Sequence, residues 1–203
     1  MKIRAKHPHQ MLLKEVNPVI RFLIVSDVLI VGAAAMLAPL FALFVEDFIV
    51  GGDAMVISIA MAIYLFSRSI LQIPIATLID KIKGEKDDYF LMVFFSTVAA
   101  VSILTYLIID QPWQLFLVQL LLGISTAATY PSYMAIFTRH IDKHKEGTEW
   151  GIYYTFTDLG SAVLAMIGGF IVTTFGFSAL IVSVAAISVL GSLLLVPIRS
   201  SLR

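Results

Sequence analysis

Three ionisable side chains lie deep within long apolar stretches of this sequence: Asp27, Arg68 and Asp158. A charge at the centre of a lipid bilayer costs roughly 2.5–3.5 kcal/mol on insertion scales, so each group should face protein or water and have a partner. Such groups bind a charged solute or a coupling ion, or they form an ion pair that serves only the structure. Both interpretations are open for Asp27, and Arg68 and Asp158 could equally form a structural pair.

Further polar side chains share these stretches. Gln72 follows Arg68 by four residues and therefore lies on the same face of a helix. A later stretch adds an amide and a phenol, Gln119 and Tyr130, and the tyrosine could serve packing as readily as binding. The candidates for contact with a solute or a coupling ion are Asp27, Arg68, Gln72, Gln119, Tyr130 and Asp158.

The composition indicates that the chain lies in a membrane. Hydrophobic residues make up 59% of the 203 residues, charged residues make up 14%, and the mean hydropathy is +0.93. A soluble domain carries about 25% charged residues, because its surface must face water. The lack of cysteine excludes disulfides and a catalytic thiol. Because all four histidines lie outside the apolar stretches, we expect no enzyme, and we expect no metal, no cofactor and no nucleic-acid partner.

Six apolar segments are long enough to cross a bilayer as a helix, which takes about 20 residues. They cover residues 19–45, 54–79, 89–109, 113–138, 149–174 and 177–197. Short connections with glycine, proline or charged residues separate the segments. The sequence thus predicts an all-α membrane protein with a tail at 1–18, a six-helix bundle at 19–197 and a second tail at 198–203.

The basic residues predict the orientation of these helices. All 14 Lys and Arg residues except Arg21 and Arg68 fall in the two tails and in the connections at 81–86 and 139–145. The connections at 46–53 and 110–112 contain acidic residues, and none of the other connections contains a basic one. Cytoplasmic connections are enriched in Lys and Arg, so we expect a multi-pass protein of the plasma or inner membrane, surrounded by lipid, with both termini in the cytoplasm.

The six segments fall into two sets of three. In each set two long segments precede a short one, and each first segment has a polar residue 12 positions before a proline. These pairs are Asp27 with Pro39 and Gln119 with Pro131. Because three is an odd number, the second set must run in the opposite direction to the first. An inverted repeat of three plus three helices is typical of transporters, and we expect that repeat here.

The connection after the second predicted helix resembles a signature of the major facilitator superfamily. Residues 76–86 read ATLIDKIKGEK, in which Asp80, Lys81, Gly84 and Lys86 fit the family's Gly-x-x-x-Asp-Arg/Lys-x-Gly-Arg/Lys, with Ala76 in place of the first Gly and one extra residue before Gly84. Two further patterns of that family lie in the fourth and fifth predicted helices, at Gly123, Ala127, Pro131 and Ala135 and at Gly160, Gly168 and Gly169. The whole chain is similar to one six-helix half of a facilitator, and to short single-half members from bacteria.

The resemblance implies a secondary transporter that moves a small solute by alternating access between two six-helix units. In the family, the first and fourth helices of each unit line the cavity, and the second and fifth form the seam with the other unit. A second parallel copy is the simplest other unit, so we expect a homodimer. Arg68 is then expected to contact Asp158 across the seam, or instead to pair with Asp27 inside one copy. The alternative is a scaffold that does not transport, or a half whose partner is a different six-helix unit.

The resemblance also assigns roles to residues outside the cavity. Gating at the cytoplasmic rim is expected from Asp80, Lys81, Gly84, Lys86 and Arg139, with Arg139 as a partner for the Asp80 carboxylate. Helix packing is expected from Gly123, Pro131, Gly160, Gly168 and Gly169.

Overall fold

A computed structural model describes residues 16–82 and 84–202 of the chain. The first 15 residues of the predicted N-terminal tail lie outside the described residues, as do Lys83 and Arg203. The described residues form helices and no strand. The helices are α1 (Pro18–Leu37), α2 (Phe41–Phe48), α3 (Ala54–Lys81), α4 (Lys86–Ile103), α5 (Pro112–His140) and α6 (Glu146–Leu193), with 3-10 turns at Ala38–Leu40, Leu104–Leu107 and Val196–Ser201.

Local sequence signals set where these helices begin. The Asn17 side chain accepts a hydrogen bond from the amide two residues later at 2.9 Å, and Asp53 accepts from the amide three residues later at 2.8 Å. Both side chains satisfy an amide that has no partner within the first helical turn. Pro39 lies in the 3-10 turn between α1 and α2, because its nitrogen has no hydrogen to continue the α-helical bonding. The two helices still form one apolar stretch, Pro18–Phe48.

Five helical stretches are long and apolar enough to cross a bilayer. They are Pro18–Phe48, Ala54–Lys81, Lys86–Leu107, Pro112–His140 and Glu146–Ser201. The last one contains α6, a helix of 48 residues. A straight helix of that length would measure about 72 Å, more than twice the about 30 Å of bilayer hydrocarbon.

The backbone of α6 is interrupted at Gly176, where φ is +82° and ψ is 175°. The parts before and after this glycine both contact the same turn of α1. A Cβ on Gly160 would lie 2.6 Å from the Val28 side chain, and the Ser26 hydroxyl donates a hydrogen bond to the Gly191 carbonyl at 2.8 Å. The chain therefore reverses direction at Gly176, and α1 lies between the two parts of α6.

Small residues allow α1 to approach the first part of α6 closely. A Cβ on Gly168 would lie 2.6 Å from the carbonyl oxygen of Met36. Gly32 packs on the opposite side of the same contact, against the Leu164 side chain. Because Gly160 meets Val28 and Gly168 meets Met36, residue numbers rise together along the two helices, which run parallel.

α3 is held mainly by α5, and α4 packs against both α5 and α6. Gly123 of α5 lies against the backbone of α3, where a Cβ would come within 2.6 Å of the Tyr64 carbonyl oxygen. Only Ala60, Ser67 and Ile79 of the 28 residues of α3 are buried. Most of the surface of α3 is therefore uncovered within one chain.

The two ends of the bundle carry different charges. At one end the Val50 amide donates to the Asp110 carbonyl at 2.7 Å, and the rings of Phe48 and Phe177 lie 5.4 Å apart beside Gly176. The described basic residues of the connections and of the C-terminal turn lie at the other end, termed the basic end: Lys81, Lys86, Arg139, Lys143, Lys145 and Arg199.

Candidate functional site

The Asp27 carboxylate, on α1, is hydrogen-bonded to a tyrosine of α6. The Tyr153 hydroxyl donates to Asp27 Oδ2 at 2.7 Å, and Asp27 itself is half-buried. The partner that an intramembrane carboxylate requires is thus a neutral hydroxyl, which leaves the negative charge uncompensated. Such a group can still attract a cation or bind a proton.

Tyr153 is oriented by an aromatic cluster formed by α5 and α6. Its ring lies 5.9 Å from that of Tyr133, 5.5 Å from that of Phe137 and 5.7 Å from that of Trp150. These contacts bury Tyr153 to 7% exposure, so its hydroxyl cannot turn away to solvent. The cluster therefore fixes the donor that holds Asp27.

Some buried polar groups near this cluster have no hydrogen-bond partner among the described residues. Two of them are the hydroxyls of Tyr133 and Thr157, which belong to α5 and α6. A buried hydroxyl without a partner is uncommon, because each one costs about 1–3 kcal/mol. These groups remain available to a bound molecule.

Arg68, on α3, lies against an aromatic ring rather than a carboxylate. Its guanidinium is 5.3 Å from the centre of the Tyr130 ring on α5. Within one chain, Arg68 forms no ion pair with Asp27, with Asp158 or with any other described residue. A cation over a tyrosine ring gains about 0.5–2 kcal/mol, which leaves its charge uncompensated. Gln72, one turn further along, is half-buried.

The remaining predicted site residues divide between the surface and the interior. Asp158 is exposed on α6 and has neither a hydrogen bond nor an ion pair with the described residues. Gln119 is 5% exposed, and its Nε2 donates to the Tyr106 hydroxyl at 3.1 Å. The structure therefore places Gln119 in the contact between α5 and the turn after α4, apart from Asp27 and Arg68.

A second polar cluster lies at the basic end. Arg139 forms an ion pair with the buried Asp88 and also donates to the Gly84 carbonyl at 3.3 Å. His140 Nδ1 lies 3.6 Å from a carboxylate oxygen of Glu85. The expected partner of Arg139 was Asp80, which is exposed, and its actual partner is Asp88. Asp88 is buried in the first turn of α4, within reach of the Arg139 guanidinium.

The other residues with expected rim or packing roles are distributed as follows. Lys81 and Lys86 are exposed at the basic end. Gly123, Gly160 and Gly168 lie in close helix contacts, whereas a Cβ on Gly169 would meet nothing within 4 Å. Pro131 lies within α5, which continues past it to His140.

Sequence reasoning missed Tyr153, although this residue is the partner of Asp27. The two residues are 126 positions apart, and helical periodicity relates only residues within one helix. The signal that was present is a tyrosine within an apolar segment that also contains Thr157, since both hydroxyls need a partner or a function.

Comparison with known proteins places this arrangement in a family. The family model of the Major Facilitator Superfamily matches residues 23–202. The multidrug resistance protein MdtG of Dickeya zeae (strain Ech586) is 25% identical over 174 residues, which are 84% of this chain and 42% of that protein. The crystal structure of the POT family transporter PepTSo superposes with a TM-score of 0.67 at 12% identity, over 90% of this chain and 37% of that one.

The match extends over nearly the whole described chain, and the chain spans about two-fifths of the length of the relatives it matches. The likeness to the solved structure supports the same helical fold. With its five apolar stretches, the protein is a multi-pass membrane protein. The chain belongs to the major facilitator superfamily.

Proposed function

We propose that this chain is one half of a secondary transporter that carries a small solute by alternating access, and that a second, parallel copy supplies the other half. The relative from Dickeya zeae is more than twice as long as the matched region, so these 203 residues cover only part of such a fold. Alternating access requires two units that move against each other around a central site.

We propose six crossings related by an inverted repeat, with the reversal at Gly176 dividing α6 into the fifth and sixth. The helix contacts support the repeat. Exchange of crossings one, two and three with four, five and six turns the α1–α6 contact made through Gly32 into the α3–α5 contact made through Gly123. It also relates two tyrosine hydroxyl bonds, from Tyr153 to Asp27 at 2.7 Å and from Tyr64 to Thr126 at 3.5 Å.

The uncovered faces of α3 and of the first part of α6 are the observation that carries the proposed assembly. Large apolar side chains there are more than half exposed, among them Phe66, Ile70 and Ile73 on α3 and Met166 and Phe170 on α6. Lipid can cover apolar side chains, but it cannot compensate the charges of Arg68 and Asp158 on the same two helices. A second copy brings Asp158 of one chain to Arg68 of the other, and twofold symmetry makes this contact twice.

The solute site lies, in this proposal, on the wall formed by α1, α3, α5 and α6. Asp27, held by Tyr153, supplies a negative charge to this site, and Arg68, held by Tyr130, flanks the site in its pair with Asp158 of the other copy. The free hydroxyls of Tyr133 and Thr157 supply hydrogen bonds. Asp80, Lys81, Lys86 and Arg139 belong to the basic end, which we place in the cytoplasm of a plasma or inner membrane because cytoplasmic ends are rich in Lys and Arg.

A partner other than a second copy is the competing assembly. The relative from Dickeya zeae carries its matched region within one longer chain. A different six-helix unit could therefore occupy the face of α3 and α6, and a scaffold without transport would bury the same charges.

Reconstitution into liposomes tests the proposal. Uptake of a panel of amines, sugars and amino acids is measured with and without a pH gradient. We expect saturable uptake of at least one class, reduced at least about tenfold by Asp27→Asn, because loss of one charge-assisted contact is worth about 1.5–3 kcal/mol. The matched control is Asp47→Asn, which changes an exposed carboxylate on α2.

Two outcomes would contradict parts of the proposal. A folded dimer without uptake of any member of the panel above the level of empty liposomes would favour the scaffold. Uptake by a strictly monomeric particle would overturn the homodimer.

A further inference from the structure

A cavity at the basic end has the composition of an anion site. It is open to its surroundings, has a volume of about 550 Å³ and is lined by Lys86, Val196, Pro197, Arg199 and Ser200. Small-molecule sites in proteins commonly measure about 300–1,000 Å³. The lining contains two cationic side chains and one hydroxyl, and no carboxylate.

The two cations at this cavity are not neutralised within the chain. Lys86 and Arg199 are both exposed, and neither forms an ion pair with a described residue. Of the acidic residues beside Lys86, Asp88 is bound to Arg139, and Glu85, Asp87 and Asp88 do not line the cavity. The positive charge of the cavity therefore remains available to a ligand.

The position of Arg199 is set by an aromatic ring that continues into an apolar face. Its guanidinium lies 5.5 Å from the centre of the Phe90 ring. Phe90 is 53% exposed, and Phe94, one turn further along α4, is 62% exposed. On the other side of the cavity, Leu193 and Val196 are 57% and 49% exposed. Apolar side chains that face lipid thus begin directly beside the two cations.

The level of the cavity along the membrane normal follows from α4. Lys86 is the first residue of the helix, and the apolar stretch that crosses the bilayer begins with it. A cation at the first turn of a crossing helix lies where lipid headgroups end and hydrocarbon begins. The ligand therefore needs an anionic group at that level and apolar chains below it.

We propose that this cavity binds the headgroup of an anionic phospholipid. The phosphate is held between Lys86 and Arg199, and the acyl chains lie along Phe90 and Phe94. Basic pockets at the ends of membrane helices are suited to such headgroups. A free phosphate would share the contacts with the two cations, but it would leave the exposed aromatic face unused. This inference requires neither transport nor a dimer.

Native mass spectrometry of the chain in a neutral detergent tests the proposal, with phosphatidylglycerol and phosphatidylcholine as the added lipids. We expect the chain to retain phosphatidylglycerol in preference to phosphatidylcholine. Each cation near an anionic lipid contributes about fivefold in affinity, so Lys86→Gln with Arg199→Gln should weaken retention roughly 25-fold. Lys143→Gln removes an exposed charge outside the cavity and should change retention less than twofold.

The remaining arms separate this site from its rivals. Arg199→Lys keeps the charge and should keep most of the retention, which shows that a weakened double variant has lost charge and not its fold. Equal loss in the Lys143→Gln variant would mean diffuse attraction and would overturn the site. Displacement of phosphatidylglycerol by inorganic phosphate, at an ionic strength where chloride has no effect, would assign the cavity to free phosphate instead. Undiminished retention by the double variant would also overturn the proposal.

Discussion

Asp27, Arg68 and Asp158, the charges deep within the spans, have no oppositely charged partner among the described residues. Asp27 accepts from the Tyr153 hydroxyl, and Arg68 lies over the Tyr130 ring, while Asp158 is exposed. A tyrosine orients a charge without cancelling it, because its hydroxyl and its ring are dipolar and quadrupolar and carry no net charge. The charges are thus held in position and kept free to act on something outside the chain.

The hydroxyl of Tyr153 should contribute measurably to stability. Tyr153→Phe keeps the ring contacts and removes the donor to Asp27, and a hydrogen bond to a charged group is worth about 1.5–3 kcal/mol. We expect the free energy of unfolding, from denaturant titration in detergent, to fall by that amount. Tyr154→Phe is the matched control, because this neighbouring residue is 55% exposed and its hydroxyl bonds to no described residue. Equal stability of the two variants would mean that the hydrogen bond contributes nothing.

The contact proposed between Arg68 and Asp158 predicts a coupled effect on dimerisation. Removal of one partner of a buried ion pair costs about 3–5 kcal/mol, whereas replacement of both by apolar residues is nearly neutral. Arg68→Leu and Asp158→Leu should each weaken the dimer, and the double variant should recover most of the loss. The measurement is the dissociation constant from energy transfer between labelled copies in bilayers.

The two single variants and the double variant form a double-mutant cycle. The loss of the Tyr130 contact does not affect the coupling energy, because both variants that lack Arg68 lose that contact equally. A second cycle pairs Arg68→Leu with Asp27→Leu. Coupling of Arg68 to Asp27, together with none to Asp158, would replace the contact between copies by one inside each chain.

Sequence reasoning identified the residues that needed a partner at this scale, but not their partners. A charge within an apolar stretch is visible in the sequence because its transfer cost is local. The partners are not visible, since Tyr153 lies 126 residues from Asp27 and Asp88 lies 51 residues from Arg139. They depend on which helices pack and in what rotation.

At the scale of elements, only one of two adjacent glycines in α6 lies in the contact with α1. Gly168 faces the backbone of Met36, whereas the next residue, Gly169, faces open space. The two glycines are adjacent in the sequence, and their side-chain positions point about 100° apart around the helix. Only the first is required for close approach of α6 to α1.

This difference gives a matched pair of substitutions. Gly168→Ala puts a methyl group 2.6 Å from the Met36 carbonyl oxygen, which must shift the helices apart at a cost of about 1–3 kcal/mol. Gly169→Ala meets nothing within 4 Å and should stabilise by about 0.5–1 kcal/mol, because alanine favours the helix over glycine. Opposite changes in thermal unfolding temperature are expected. A loss of stability in Gly169→Ala as large as that in Gly168→Ala would show that the α1–α6 contact is not the cause.

The sequence predicted where the helices lie better than where a helix is interrupted or joined to the next one. α3 and α5 begin and end within two residues of the ranges expected from the sequence, because charged or breaker residues bound those apolar runs. The first predicted helix is interrupted at Ala38–Leu40, and the last two are joined through Gly176. Hydropathy reports whether a segment is apolar, and it does not report a local change in backbone dihedral angles.

At the scale of the whole molecule, one end of the bundle is basic and the other is not, and this difference is the basis of the proposed topology. The chain has no cysteine, so single cysteines can be introduced without background. We expect cysteines in place of Asp53 and Asp110 to react with an impermeant reagent added to intact cells. Cysteines in place of Lys86 and Lys145 should react only after the cells are opened. Reaction of the Lys145 position from outside would reverse or abolish the proposed orientation.

The reversal at Gly176 affects which residues at that end of the bundle a binding protein can contact. Phe175 and Phe177 flank the turn, and the Phe177 ring lies 5.9 Å from Phe44 and 5.4 Å from Phe48, so this connection presents hardly any polar surface. The polar surface of that end is concentrated instead where Val50 bonds to Asp110. An antibody fragment selected against this face should therefore bind residues 46–53 and 110–114, and an epitope tag should be accepted there. An insertion at Gly176 should not be tolerated.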